Sequence, residues 1–256
     1  MPCLRKLHLA FSLIAVLTCG SAVAQSITLS PAVVPLEGHH GQGVTQILTL
    51  RNDSDIPLAF TLEARDVVVR DGTRVFLEAG ELPDSAAASA VFTPKAVHIG
   101  AHSMASVTVT LTVPPTMRHR AVVAYFRGTD LLPAGGRKAR MSLGTLLTFA
   151  LSDRVSVRVD ALDAQPPSAS ANAALRATLV NDGDEPVVPT GMVVVLDMQG
   201  RMVGKVPFPA RRLLPGESTT LVADYPGELG AGSYRAIVTF DVQGRALTRA
   251  ASLEVR

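Results

Sequence analysis

Two pairs of acids invite a catalytic reading. Asp53 with Asp55 and Asp182 with Asp184 each set two carboxylates two positions apart, and paired carboxylates do general acid–base work when their surroundings split their pKa values. Their context argues otherwise. The first pair lies in Leu50-Arg51-Asn52-Asp53-Ser54-Asp55-Ile56-Pro57 and the second in Leu179-Val180-Asn181-Asp182-Gly183-Asp184-Glu185-Pro186. Asn, Asp, Ser, Gly and Pro between two apolar runs mark a turn between strands, where acids face solvent. Ser103 and Ser218 follow His102 and Glu217, but neither lies in a nucleophile elbow. Phosphate-loop and metal-hydrolase patterns are absent. His39-His40 sits in a glycine-containing connection, His39-His40-Gly41-Gln42-Gly43, and reads as exposed-loop histidine rather than a metal site. The expectation is a protein that is not an enzyme and carries no cofactor.

Binding chemistry is the better prospect. Leu131 to Arg140 breaks the strand pattern with Pro133 and Gly135-Gly136 and concentrates Arg137, Lys138 and Arg140; it is a solvated turn or a loop that meets an acidic ligand. Directly after it, Met141, Leu143, Thr145, Leu147 and Phe149 fall on one face of a strand.

The elements that must position these residues are strands. Ala105 to Val113 alternates cleanly, with Val107, Val109, Leu111 and Val113 on one side. Val44 to Leu50, Leu58 to Ala64 and Ala121 to Phe126 follow the same rule, and Asp71-Gly72 marks a tight reversal. Pro31 and Pro35 predict a broken or edge strand near the start, and Thr93-Pro94 predicts a split strand within Val91 to Ile99. Gly80 to Ala90, rich in small residues, reads as a surface excursion with room for a short helical turn. The Asn-Asp turn recurs, Arg120-Ala121-Val122-Val123-Ala124 has a counterpart in Arg235-Ala236-Ile237-Val238-Thr239, and Gly100-Ala101-His102-Ser103 has one in Pro215-Gly216-Glu217-Ser218. Three landmarks in the same order predict two related domains. The fold class expected is all-β, two immunoglobulin-like β-sandwich domains in tandem, at residues 25–152 and 153–256.

Residues 1–24 read as a signal peptide: Arg5 and Lys6, an apolar run from Leu7 to Leu17, and Ala22-Val23-Ala24 before cleavage. That run is short for a membrane span, so no integral membrane segment is expected after cleavage. Removing the leader removes both cysteines, Cys3 and Cys19, and lowers the formal charge of +2 by the two charges of Arg5 and Lys6. A near-neutral product disfavours nucleic acid as a partner. The expected address is the periplasm, or secreted or envelope-associated in another kind of cell.

Ile27-Thr28-Leu29-Ser30-Pro31, Leu50-Arg51-Asn52-Asp53-Ser54, Val91-Phe92-Thr93-Pro94 and Val97-His98-Ile99 resemble the N-terminal domain of the periplasmic pilus-assembly chaperone superfamily (PapD-like) over roughly residues 26–151. The resemblance implies a chaperone that donates an alternating strand to an incomplete exported structural subunit, a pilin-like partner. On this chain it would use Met141, Leu143, Thr145, Leu147 and Phe149, with Arg137, Lys138 and Arg140 toward an acidic client terminus. The alternative is that these apolar residues close their own domain. The family's basic anchors have no match, since Ser30-Pro31 and Gly144-Thr145 occupy the corresponding regions. A structural envelope protein, or a carbohydrate- or peptidoglycan-binding module, is the competing function. An aromatic content of 4% with no Trp speaks against a sugar-stacking platform.

Overall fold

The computed structural model describes residues 27–128 and 141–256; the leader read at 1–24 lies outside them. Strands are numbered in chain order. One sheet of the first sandwich runs β1 (Ile27–Ser30), β3 (Gly43–Asn52), β8 (Ser103–Thr112), β6 (Val91–Thr93). The facing sheet runs β2 (Val33–Glu37), β10 (Ser142–Ala150), β9 (Ala121–Gly128), β4 (Leu58–Arg70), β5 (Thr73–Glu78), with β7 (Ala96–Ile99) also on β4. The second sandwich packs β11 (Val157–Gln165), β12 (Ala173–Asn181) and β15 (Ser218–Tyr225) against β14 (Met202–Pro207), β13 (Thr190–Asp197), β16 (Gly232–Val242) and β17 (Arg245–Val255).

Proline decides two sheet changes. A proline has no N–H for the ladder. The chain leaves β3 at Pro31, and the next strand, β2, pairs in parallel with β10 in the facing sheet. Pro94 likewise separates β6, on β8, from β7, on β4. Both breaks lie where the sequence placed them.

The repeated turn is built around its asparagine. Asn52 and Asn181 are fully buried. Asn52 Nδ2 donates to the carbonyls of Ile56 (2.8 Å) and Gly100 (2.9 Å), while its oxygen accepts from Ser54 N and Oγ. Asn181 Nδ2 donates to Glu185 O (2.8 Å) and Leu213 O (3.2 Å), and its oxygen accepts from Gly183 N. One side chain in each sandwich thus satisfies backbone groups that the turn removes from water. Of the neighbouring acids Asp55 is exposed and Asp53 and Asp184 are half-buried, and they meet surface partners, Asp53 with Arg51, Asp55 with His102 and Asp184 with Arg154.

Alternation fills two cores. Leu48, Leu50, Val107, Val109 and Leu111 oppose Phe60, Phe126, Leu147 and Phe149 in the first; Leu175, Leu179, Val193, Val195, Val238 and Phe240 fill the second. The stretch from Gly80 to Ala90 differs from its expectation. Ala86 is fully buried and Ala87 is 3% exposed, so the 3-10 turn at Ala87–Ser89 caps the end of the core. Its small methyl groups pack there beside β4 and β8.

The two sandwiches meet through a small apolar cluster, in which Leu214 of the second packs with Val67, Ala121, Val123 and Leu146 of the first. Polar contacts frame it. Ser218 N donates to Gly72 O at 3.0 Å, so the β4–β5 reversal docks on the start of β15. Glu185, 2% exposed, accepts from Arg120 Nε (3.3 Å), Leu151 N (3.1 Å) and Ser152 Oγ (2.7 Å). Glu185→Gln keeps the shape but removes the charge from three donors, and should lower stability by about 1–2 kcal/mol. Denaturant titration with amide exchange at Leu151 checks this; an unaltered midpoint and unaltered exchange would show that the carboxylate charge contributes nothing.

Candidate functional site

Strand β10 is two structures in one. Its second half is paired on both sides: Leu146 to Ala150 run alongside Val33 to Glu37 of β2, and the other side meets β9. Its first half, Ser142 to Thr145, pairs with β9 alone among the described residues, because the chain joins this edge only after Pro31, with Val33 opposite Leu146.

Strand geometry says which groups are left open. N–H and C=O of one residue point to the same side, and the side alternates along the strand. Leu146 N donates to Ala32 O at 3.0 Å, toward β2, whereas Met141 O accepts from Gly128 N at 2.8 Å, toward β9. By alternation, Ser142 and Gly144 aim their main-chain groups at the open edge and both residues are exposed. An unprotected sheet edge of this kind is a template for another extended segment.

The side chains expected to form one continuous binding face divide at the same point. Met141 and Leu143 are half-buried, Leu143 packing on the margin of the core. Thr145, Leu147 and Phe149 are fully buried in this chain's own sandwich, and Thr145 Oγ1 donates to Pro31 O at 2.8 Å. Their side chains are part of this chain's own core. Arg137, Lys138 and Arg140 lie outside the described residues.

The open half borders a groove of about 520 Å³ in the first sandwich, lined by Val33, Phe76, Val123, Tyr125, Gly144 and Leu146 together with Arg65 and Arg74. Phe76 is 52% exposed and supplies apolar surface where most large hydrophobics are covered. Gly144 keeps the groove open: a Cβ there would lie 2.8 Å from a Val123 methyl. Both cations have partners. Arg65 bridges Glu63 (2.8 Å) and Glu78 (2.9 Å) with its guanidinium 5.2 Å from the Tyr125 ring centre, and Arg74 meets Glu217 at 2.9 Å. The groove is therefore close to neutral, suited to apolar contact with a peptide rather than capture of a free charge.

Sequence reasoning missed a polar cluster. Asp66, fully buried in β4, accepts from Ser85 Oγ, Ala87 N and His119 Nε2. Ser85 and His119 both bond the carboxylate, not each other, so the arrangement anchors loops and activates no nucleophile. The alternating pattern of β4 gave no sign of it. His40 Nδ1 lies 2.8 Å from Pro114 O, and His39 N donates to Gln42 Oε1. Among the described residues no three His, Cys, Asp or Glu side chains gather as a metal site, and no helix is long and apolar enough to cross a membrane.

The chain matches no protein-family model and no curated protein. Among solved structures it is similar to the YadV chaperone, at 13% identity over 89% of this chain and 99% of that one, TM-score 0.44. It is also similar to the class 5 fimbriae chaperone CfaA, at 12% identity over 88% and 98%, TM-score 0.45. The Escherichia coli chaperone DraB matches at 16% identity over 90% and 98%, TM-score 0.43. At such identities and scores the fold stands on its own strand order, and the function must stand on the open edge.

Proposed function

We propose that this chain is an exported, non-catalytic assembly chaperone or protein-binding module. It holds an extended segment of another extracytoplasmic structural protein, of a fimbria-like kind, as an added strand against Ser142 to Thr145. Residues 1–24 are removed on export to the periplasm, and 25–152 and 153–256 are the two domains of the product. The observation that carries the reading is the half-paired strand, whose main-chain groups at Ser142 and Gly144 face away from every described strand beside an apolar groove. Main-chain bonds supply affinity for the incoming strand, and alternate side chains meeting Leu143 and the groove supply selectivity. Arg137, Lys138 and Arg140, next along the chain, supply charge toward an acidic client end.

The test is a photo-crosslinking residue at Ser142, which is exposed, in cells that make the client. Recovery of one exported structural protein is expected. Ser142→Pro removes an edge-facing N–H and puts the ring in the path of the added strand, while the bonds of Leu143 and Thr145 to β9 persist. It should weaken client binding by at least about tenfold, the worth of one to two main-chain hydrogen bonds, with an unchanged melting temperature. Undiminished binding by the folded variant would remove the open edge from the mechanism.

A further inference from the structure

Strand β13 contains Met192-Val193-Val194-Val195-Leu196, an unbroken apolar run of the kind found in strands covered on both faces. Only one of its faces is covered. Val193 and Val195 are fully buried in the second core, opposite Val238 and Ala236 of β16. By alternation Met192, Val194 and Leu196 point the other way; Met192 is exposed and the other two are half-buried. Half-buried Ile237 of β16, opposite Val194, and exposed Ala250 of β17, opposite Ile237, continue that outer face. An apolar band thus crosses the sheet where a solvated antiparallel face ordinarily carries polar residues.

Opposite charges close the two ends of the band. Arg235, opposite Leu196, stands at one end and Asp241, opposite Thr190, at the other, both exposed. Neither has an ion-pair partner among the described residues. Asp241 accepts only from Gly244 N in its own turn (3.2 Å), and Glu254, the acid on β17 nearest Arg235 in register, is held by Ser233 Oγ (2.6 Å). The Asp241 end is also hollow, with a groove of about 450 Å³ whose lining includes Thr190, Met192, Thr239 and Asp241.

We propose that this face binds the same face of a second copy of the chain, about a two-fold axis that lies between the two sheets, perpendicular to β16, and passes over Val238. Such an axis sets each residue against the one equally far from Val238 in the other direction. Ile237 of one copy meets Thr239 of the other, Met192 meets Val194, and Leu196 and Arg235 arrive at the groove beside Thr190 and Asp241. The unpaired cation of each copy faces the unpaired anion of the other, twice in the dimer, and the apolar band is covered between them. An axis along the strands would instead set Arg235 on Arg235 and Asp241 on Asp241. Four strands about 4.8 Å apart, over seven residues at about 3.4 Å each, give roughly 450 Å² of face per copy, which places the dimer among weak, reversible interfaces. The face belongs to the second sandwich and does not depend on the open edge of β10.

Sedimentation velocity of the exported chain, from about 1 μM to about 1 mM, spans the affinities of weak interfaces and tests this. The unmodified protein should pass from monomer to dimer across the series, and Ser142→Pro should do the same. Arg235→Asp and Asp241→Arg each turn two attractions into two repulsions, so either alone should raise the dimer dissociation constant by at least about tenfold. Mixed in equal amounts, the two variants should recover the dimer, because every charged contact between them again joins a cation to an anion. Recovery by mixing also shows that both variants are folded. A chain that stays monomeric throughout the series, a dimer lost in Ser142→Pro, or single variants that dimerise as well alone as mixed would each overturn the proposal.

Discussion

Asp66→Ala should lower the stability of the first sandwich by about 3–5 kcal/mol, the range for removing one partner from a buried charged network. Asp66 is fully buried. Its Oδ1 accepts from His119 Nε2 (2.9 Å) and Ala87 N (3.0 Å), and its Oδ2 from Ser85 Oγ (2.5 Å). Ser85 Oγ in turn accepts from Gly80 N (2.9 Å) and Ala88 N (3.0 Å). Alanine would strand the three direct donors and release the loop whose Ala86 and Ala87 cap the core. The expected result is a lower denaturant midpoint together with faster amide exchange at Gly80, Ala87 and Ala88. A midpoint within about 1 kcal/mol of the unmodified protein would show that water replaces the carboxylate without loss.

The same carboxylate sets an acid limit. Burial, the largest influence, raises the pKa of Asp66, but hydrogen bonds from His119, Ser85 and Ala87, with the charge of His119, outweigh it and hold the group below its ordinary 3.8. The folded pKa is therefore lower than the unfolded one. The stabilisation is complete above the unfolded value and is lost as pH falls through the folded value. Between pH 5 and 8 this group contributes no slope. Asp66→Asn should flatten that part of the acid transition, at the cost of turning an amide N–H toward donors.

What could be read from the chain follows from what alternation encodes. Period-two patterns located the strands, and Pro31 and Pro94 located the sheet changes, because a missing N–H acts at one position whatever surrounds it. The twin turns were legible for a similar reason, although the sequence drew attention to Asp53 and Asp182 while the structure turns on Asn52 and Asn181. Alternation says that one face of Met141 to Phe149 is covered; it does not say by what. Nor does it reveal Asp66 with Ser85 and His119, or Arg74 with Glu217. Those partners lie 19, 53 and 143 positions apart, and only the packed sheets bring them together.

The division of β10 yields the sharpest contrast between two substitutions that the sequence treats as equivalent. Leu147 is fully buried among the residues that fill the first core, and Leu147→Asp would place a carboxylate among apolar side chains. A charge buried without a partner takes the cost beyond the 2–5 kcal/mol of a core truncation, a large share of the 5–15 kcal/mol typical of a whole domain. The first sandwich should unfold, and client binding should vanish with it. Leu143 lies at the half-buried, singly paired end of the same strand. An aspartate there can turn its carboxylate to solvent, so Leu143→Asp should cost only about 1–2 kcal/mol, the usual range for a partly buried site. The folded protein would then present a charge where the added strand needs apolar contact. Circular dichroism and client pull-down on both variants separate the outcomes. Loss of binding in a folded Leu143→Asp, beside an unfolded Leu147→Asp, is the result that a strand half core and half docking edge requires. A folded Leu143→Asp that still binds its client would leave Ser142 and Gly144 as main-chain contacts only, with selectivity set elsewhere along the groove.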